Sequence, residues 1–239
     1  MFEWDDILIV GDSFCQQRDQ ATDWPQLLSL ALTGQSYVRN RTPRGHGYAG
    51  ASWWSTRKRL LAELQTQTPQ LLIICHTEAL RLPSDYDFGI NAVSAEYGGV
   101  YVQPDQRDNY TPKIDKAAQQ YFKWLASREF HEWTQRQWFL ELDTVLDQKQ
   151  IPHVVHLHCF KNYGSNDYLF RNGVTSQEIL YDISQSHHHV PGARNHMSLP
   201  QNAEFARSLE RVITTNQKWN GNTEPVYMDL LNTGTGESK

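Results

Sequence analysis

Four short β-like runs punctuate the chain: two apolar ones, Ile7 to Val10 and Leu71 to Cys75, and two mixed ones, Ser36 to Arg39 and His153 to His158. Blocks this short, carrying Ile, Val and Tyr and flanked by turn-forming residues, predict β-strands. The stretches between them keep helical spacing instead. Asp23-Trp24-Pro25 sets an N-cap just ahead of a proline, and Leu27, Leu28 and Ala31 then share one face. After the Ser36 to Arg39 run, Trp53, Leu60, Leu61 and Leu64 repeat the pattern. A longer one runs from about Ile114 to Gln150, with Trp138, Leu142 and Val145 in register and a break near Ser127 to Phe130. Near the end, Phe205, Ala206, Leu209, Val212 and Ile213 make a stripe with Arg207, Glu210 and Arg211 on the other side, the mark of an amphipathic helix.

Strands alternating with helices of this length predict βαβ units, a parallel sheet of about four to five strands, and helices on both of its faces. Two segments, Leu80 to Pro112 and Phe160 to Pro200, interrupt the alternation with Gly, Asp, Tyr and Pro. They read as long loops leaving the carboxyl ends of strands, where open α/β sheets bind their ligands. Residues 1–216 read as one domain. Residues 217–239, ending Asn-Thr-Gly-Thr-Gly-Glu-Ser-Lys, read as a partly flexible C-terminal extension.

Composition narrows the function classes. A chain of 239 residues, 39% of them hydrophobic, suffices for one core domain and is short for two. The 22 basic residues against 27 acidic ones give a net charge of −5, which disfavours a nucleic-acid partner. The apolar blocks fall far short of the roughly 20 residues that cross a bilayer, so no membrane partner is expected. An acidic start, Met1-Phe2-Glu3-Trp4-Asp5-Asp6, runs straight into the first strand and is unlike a secretory leader. Cys15, Cys75 and Cys159 form no C-x-x-C pair and read as reduced core thiols, so a cytoplasmic location is expected.

Chemistry is concentrated at the end of the first strand. Ile7-Leu8-Ile9-Val10 leads directly into Gly11-Asp12-Ser13, with a helix soon after. That order sets a turn-permitting glycine and then a hydroxyl at the carboxyl end of a strand, where a nucleophile needs to be exposed. Further on, Gly45-His46-Gly47-Tyr48-Ala49-Gly50-Ala51-Ser52 precedes the second helix, and Asn195-His196-Met197-Ser198-Leu199-Pro200 precedes the last.

Taken in order, these three blocks resemble those of the SGNH (GDSL-like) hydrolases, serine esterases on a flavodoxin-like three-layer α/β/α fold. The resemblance covers about Phe2 to Thr215. It implies Ser13 as nucleophile, His196 as general base, and the N–H groups of Ser13 and Gly50 as oxyanion hole. It implies no cofactor, and a small-molecule or carbohydrate ester as substrate, O-acetyl groups on sugars included.

Two positions depart from the family pattern. The third block, Gly-x-Asn-Asp, falls on His76-Thr77-Glu78-Ala79 and offers no asparagine, and Ala193 stands three residues before His196 where the family has aspartate. Thr77 is the nearest hydroxyl to substitute for the asparagine, and Asp182 is an acid that would serve if folded onto His196. Glu78 would oppose an oxyanion if it faced one, so it is expected to turn away and pair with Arg81. Arg81 reads either as that structural partner or as a holder of an anionic or carbohydrate substrate. His187-His188-His189 and the strand histidines His153, His156 and His158 lack the accompanying acids of a metal site, so no metal is expected. The competing reading is an SGNH-like fold that has lost catalysis and serves as a binding or structural module.

Overall fold

The computed structural model describes residues 6–16, 23–34, 44–47, 51–81, 112–161, 167–185, 197–215 and 226–228. The expected strand at Ser36 to Arg39, Gly50, most of the Leu80 to Pro112 loop, and the segment holding His187 to His189 and His196 lie outside the described residues.

Among the described residues six parallel strands form one sheet: β1 (Ile7–Gly11), β2 (Arg44–Gly47), β3 (Leu71–His76), β4 (His153–His158), β5 (Val174–Ile179) and β6 (Val226–Met228), in the order β2-β1-β3-β4-β5-β6. β2 joins one side of β1, and every later strand adds on the other. The switch point is therefore the gap between β1 and β3, the place where an open α/β sheet offers its crevice. Register sets Gly11 beside Cys75 and His76 beside His158, so the ends of β1, β3 and β4 finish together.

β1 and β3 are buried at every residue, which explains their unbroken apolar runs. Side-chain alternation sorts the core into two layers. Ile7, Ile9, Leu71, Ile73, Val155 and Leu157 pack with α1 (Trp24–Thr33) and the C-terminal helix, Leu199–Thr215. Leu8, Val10, Leu72, Ile74 and Val154 pack with α2 (Trp53–Thr66) and the longest helix, Arg128–Lys149. The result is the expected three-layer α/β/α arrangement, with α3 (Pro112–Trp124), α4 (Arg128–Lys149), α5 (Leu180–Gln185) and α6 (Leu199–Thr215) completing the helices.

Local chemistry explains the breaks. Ser127 caps α4 by accepting from the Phe130 N–H, and this stop between α3 and α4 is the predicted interruption. Ser52 caps α2 in the same way through the Ser55 N–H. Gly34, at φ 69°, closes α1 in the left-handed conformation that glycine tolerates.

Three strands differ from expectation. β2 is Arg44–Gly47, a segment poor in strand-forming side chains that is drawn in because Gly47 lets the backbone press against the turn after β1. β5, Val-Thr-Ser-Gln-Glu-Ile, and α5 lie inside the stretch expected as loop; β5 has no apolar run because its outer half is partly exposed. The C-terminal extension supplies β6 as a short strand beside β5, so the sheet reaches beyond residue 216 and holds six strands among the described residues, against the expected four to five. Among the described residues, no helix is long and apolar enough to cross a membrane.

Candidate active site

β1 ends at a position that demands glycine. Gly11 has φ 150°, and a Cβ there would lie 2.5 Å from the Cys75 carbonyl oxygen of β3. Asp12 follows in extended conformation and caps a single 3-10 turn, Ser13–Cys15: its Oδ1 accepts from the Phe14 N–H at 2.9 Å, and its carbonyl accepts from the Cys15 N–H at 3.2 Å. The turn points Phe14 and Cys15 into the core and leaves Ser13 half-buried. From the other side Gly47 of β2 abuts the Cys15 carbonyl so closely that a side chain there would collide with backbone. Two glycines on neighbouring strands thus shape the turn that carries the serine.

The turn is tied to the rest of the sheet through Asp12, a residue the motif does not single out as functional. Its side chain is fully buried and links three strand ends. Oδ1 also accepts from the Cys159 thiol at 3.1 Å, beyond β4. Oδ2 accepts from the Thr77 hydroxyl and from Arg81 Nη1, both at 3.2 Å, beyond β3. Arg81 donates at the same time to Glu78 Oε1 at 3.1 Å, and its guanidinium carbon lies 5.1 Å from the centre of the Phe160 ring. Glu78 therefore pairs with Arg81 as expected. Thr77, itself buried, directs its hydroxyl to a carboxylate, and Gln135 of α4 donates to the Thr77 carbonyl at 2.7 Å.

A narrow cleft of about 20 Å³ opens beside the serine, lined by Ser13, Phe14, Gln16, Asp23, Trp24, Met197 and Asn202. That volume accommodates roughly one water molecule. α1 and α6 meet there through Asn202, whose Oδ1 accepts from the Trp24 N–H at 2.9 Å while Nδ2 donates to the carbonyls of Met197 and Ser198. The Trp24 indole N–H donates to the Phe14 carbonyl at 2.7 Å, fixing α1 to the serine turn. Met197, the neighbour of His196, is thereby held in the same cleft as Ser13. His196 and Gly50 lie outside the described residues. Asp182 is on the exposed side of α5, with buried Ile183 and Ser184 beside it.

The three thiols are free and buried, and they gather beneath the serine turn. Burial, then hydrogen bonding to Cys15 and Cys159, pushes the Cys75 thiol well above its ordinary value. Burial likewise raises Cys159. Neutral thiols of this kind act as small apolar groups rather than nucleophiles.

Beside them, on the α4 side of the sheet, His76, His156 and His158 are buried together with Phe139 and Phe170. His156 stacks on Phe170 with ring centres 3.7 Å apart. Its Nε2 faces the Asn172 carbonyl at 2.8 Å, so Nε2 carries the proton, and Nδ1 accepts from His76 Nε2 at 3.0 Å. Burial is the main cause that lowers His156 to about 3 and His158 to about 4, and it holds His76 well below the usual histidine range. Both ring nitrogens of His158 are without a hydrogen-bond partner among the described residues. No group of three or more His, Cys, Asp or Glu there is arranged to hold a metal ion. Comparison with protein-family models, curated proteins and solved structures finds no match to the chain.

Proposed function

We propose that the protein is a serine esterase that works through an acyl-enzyme on Ser13. The observation that carries this reading is the meeting of two distant segments beside the carboxyl end of β1. Ser13 stands on a glycine-shaped turn at the end of β1, and Met197, next to His196 in the chain, lines the same cleft. In the proposed reaction Ser13 Oγ attacks the ester carbonyl while His196 takes the proton. The N–H groups of Ser13 and Gly50 receive the oxyanion, His196 returns the proton to the leaving alcohol, and water then hydrolyses the acyl-enzyme. No cofactor enters these steps. The substrate class is a small-molecule or carbohydrate ester, with O-acetyl groups on sugars as the first to try. Three free buried thiols support a reducing, cytoplasmic setting.

A second reading, a binding or structural module on the same fold, is favoured by one contact. The Thr77 hydroxyl donates to Asp12, which leaves it directed away from the role of a side-chain oxyanion donor. Hydrolysis of p-nitrophenyl acetate and of acetylated sugars by wild type and Ser13→Ala separates the two. The esterase reading predicts turnover that falls by at least about 10³-fold in Ser13→Ala. Turnover that is equal in both proteins would remove Ser13 from the mechanism, and inert wild type across the panel would favour the binding module.

A further inference from the structure

Every oxygen of Asp12 is in use, and one donor among its partners carries a full charge. Phe14 N–H and the Cys159 thiol donate to Oδ1, the Thr77 hydroxyl and Arg81 Nη1 to Oδ2, and Cys15 N–H to the carbonyl. A carboxylate removed from water requires a compensating charge, and breaking a buried pair by removing one partner is far more damaging than lacking the pair altogether. Arg81 is the compensating group: it is 6% exposed, its Nη1 meets Asp12 and its Nη2 meets Glu78. Its Nε has no hydrogen-bond partner among the described residues, so the guanidinium is buried at a cost that its own contacts do not fully offset.

We infer that Arg81 is a positioning residue for Ser13. By neutralising Asp12 it holds the Ser13–Cys15 turn against the ends of β3 and β4, and it keeps an uncompensated negative charge away from the backbone N–H where an oxyanion would develop. Arg81 touches neither substrate nor the reacting atoms in this role; it acts through Asp12. The inference rests on the Ser13 esterase reading, and its test separates the failure of one from the failure of the other.

The test measures fluorophosphonate labelling of Ser13 at increasing probe concentration, giving a saturating rate and a half-saturation concentration for each variant. Arg81→Met is expected to lower the saturating rate by about 10²-fold, the scale of a misplaced catalytic group, with little change in half-saturation. Arg81→Lys, which keeps the charge, is expected to recover to within about tenfold of wild type. The double variant Asp12→Asn/Arg81→Met, which removes both charges, is expected to label faster than Arg81→Met alone. Arg81→Met at the wild-type rate, or a double variant no faster than Arg81→Met, would overturn the role. If Arg81→Met fails to fold, Arg81→Gln, which keeps a hydrogen-bond donor but drops the charge, decides: slowed labelling supports the role and wild-type labelling overturns it. If wild-type Ser13 takes no probe, the esterase reading fails instead, and amide hydrogen exchange then tests the anchoring. The Phe14 and Cys15 amides, both bonded to Asp12, should exchange faster in Arg81→Met while β3 amides hold, and unchanged exchange at both would overturn it.

Discussion

The histidine cluster makes the fold acid-sensitive by an amount the structure allows to be worked out. His156 and His158 are neutral in the folded protein until the pH nears about 3 and about 4, whereas in the unfolded chain each gains a proton near the ordinary value of 6.5. Below 6.5 the unfolded state therefore binds more protons, and stability falls as the pH falls, down to the folded-state values. At pH 5 the unfolded form of each histidine is favoured by about 2 kcal/mol, so the pair costs about 4 kcal/mol relative to pH 8. Domains of this size are commonly stable by about 5–15 kcal/mol, which makes that loss a large share of the total. His76, lowered in the same direction by burial and by its two neighbours, adds to it. Urea titrations followed by tryptophan fluorescence at pH 8, 6 and 5 measure the slope. His158→Phe isolates one share, because both nitrogens of His158 are unpartnered among the described residues and the ring is fully buried. The variant should be as stable as wild type or more so at pH 8, and should lose about 2 kcal/mol less between pH 8 and pH 5. A variant that loses as much stability as wild type over that range would refute the assignment of the acid sensitivity to His158.

Three further outcomes follow from contacts around the serine turn and the histidines. Gly47→Ala forces a methyl group into the Cys15 carbonyl and should destabilise the fold by about 1–3 kcal/mol in thermal or chemical unfolding, with the turn at Ser13 disturbed. Asn202→Ala leaves the buried Trp24 N–H and the Met197 carbonyl without their partner; a cost of about 1–3 kcal/mol is expected from urea midpoints. Asp143→Ala releases the Tyr168 hydroxyl and the backbone N–H groups of Arg171 and Asn172, and with them the carbonyl that meets His156 Nε2. It should cost about 2–4 kcal/mol and speed exchange of the amides in residues 168–173 more than those of β1.

How much of this was legible in the sequence depends on what encodes each feature. β1 and β3 are largely apolar because they are buried on both faces, and α4 shows its start because Ser127 is an N-cap; both signals are local and can be read directly. β2 and β5 are not, since Arg44–Gly47 is held by a close backbone approach and Val174–Ile179 by pairing with β4, and neither fact is written in its own composition. At the site, the glycine-serine turn is visible as a motif. The Asp12 hub is hidden because its partners Thr77, Arg81 and Cys159 lie 65, 69 and 147 residues away. The pairing of Glu78 with Arg81 can be foreseen from their spacing. The convergence of three cysteines cannot, because it arises from the register of β1, β3 and β4, which sets Gly11 beside Cys75 and ends β4 just before Cys159.

The central claim is that Ser13 is a nucleophile activated by His196, and covalent labelling tests it most directly. Intact-mass analysis and peptide mapping after incubation with a fluorophosphonate should show one adduct, on the peptide containing Ser13, in wild type. The adduct should be absent in Ser13→Ala and strongly slowed in His196→Ala. An adduct that persists in Ser13→Ala, or a wild-type protein that stays unlabelled while a known serine esterase in the same tube reacts, would contradict it.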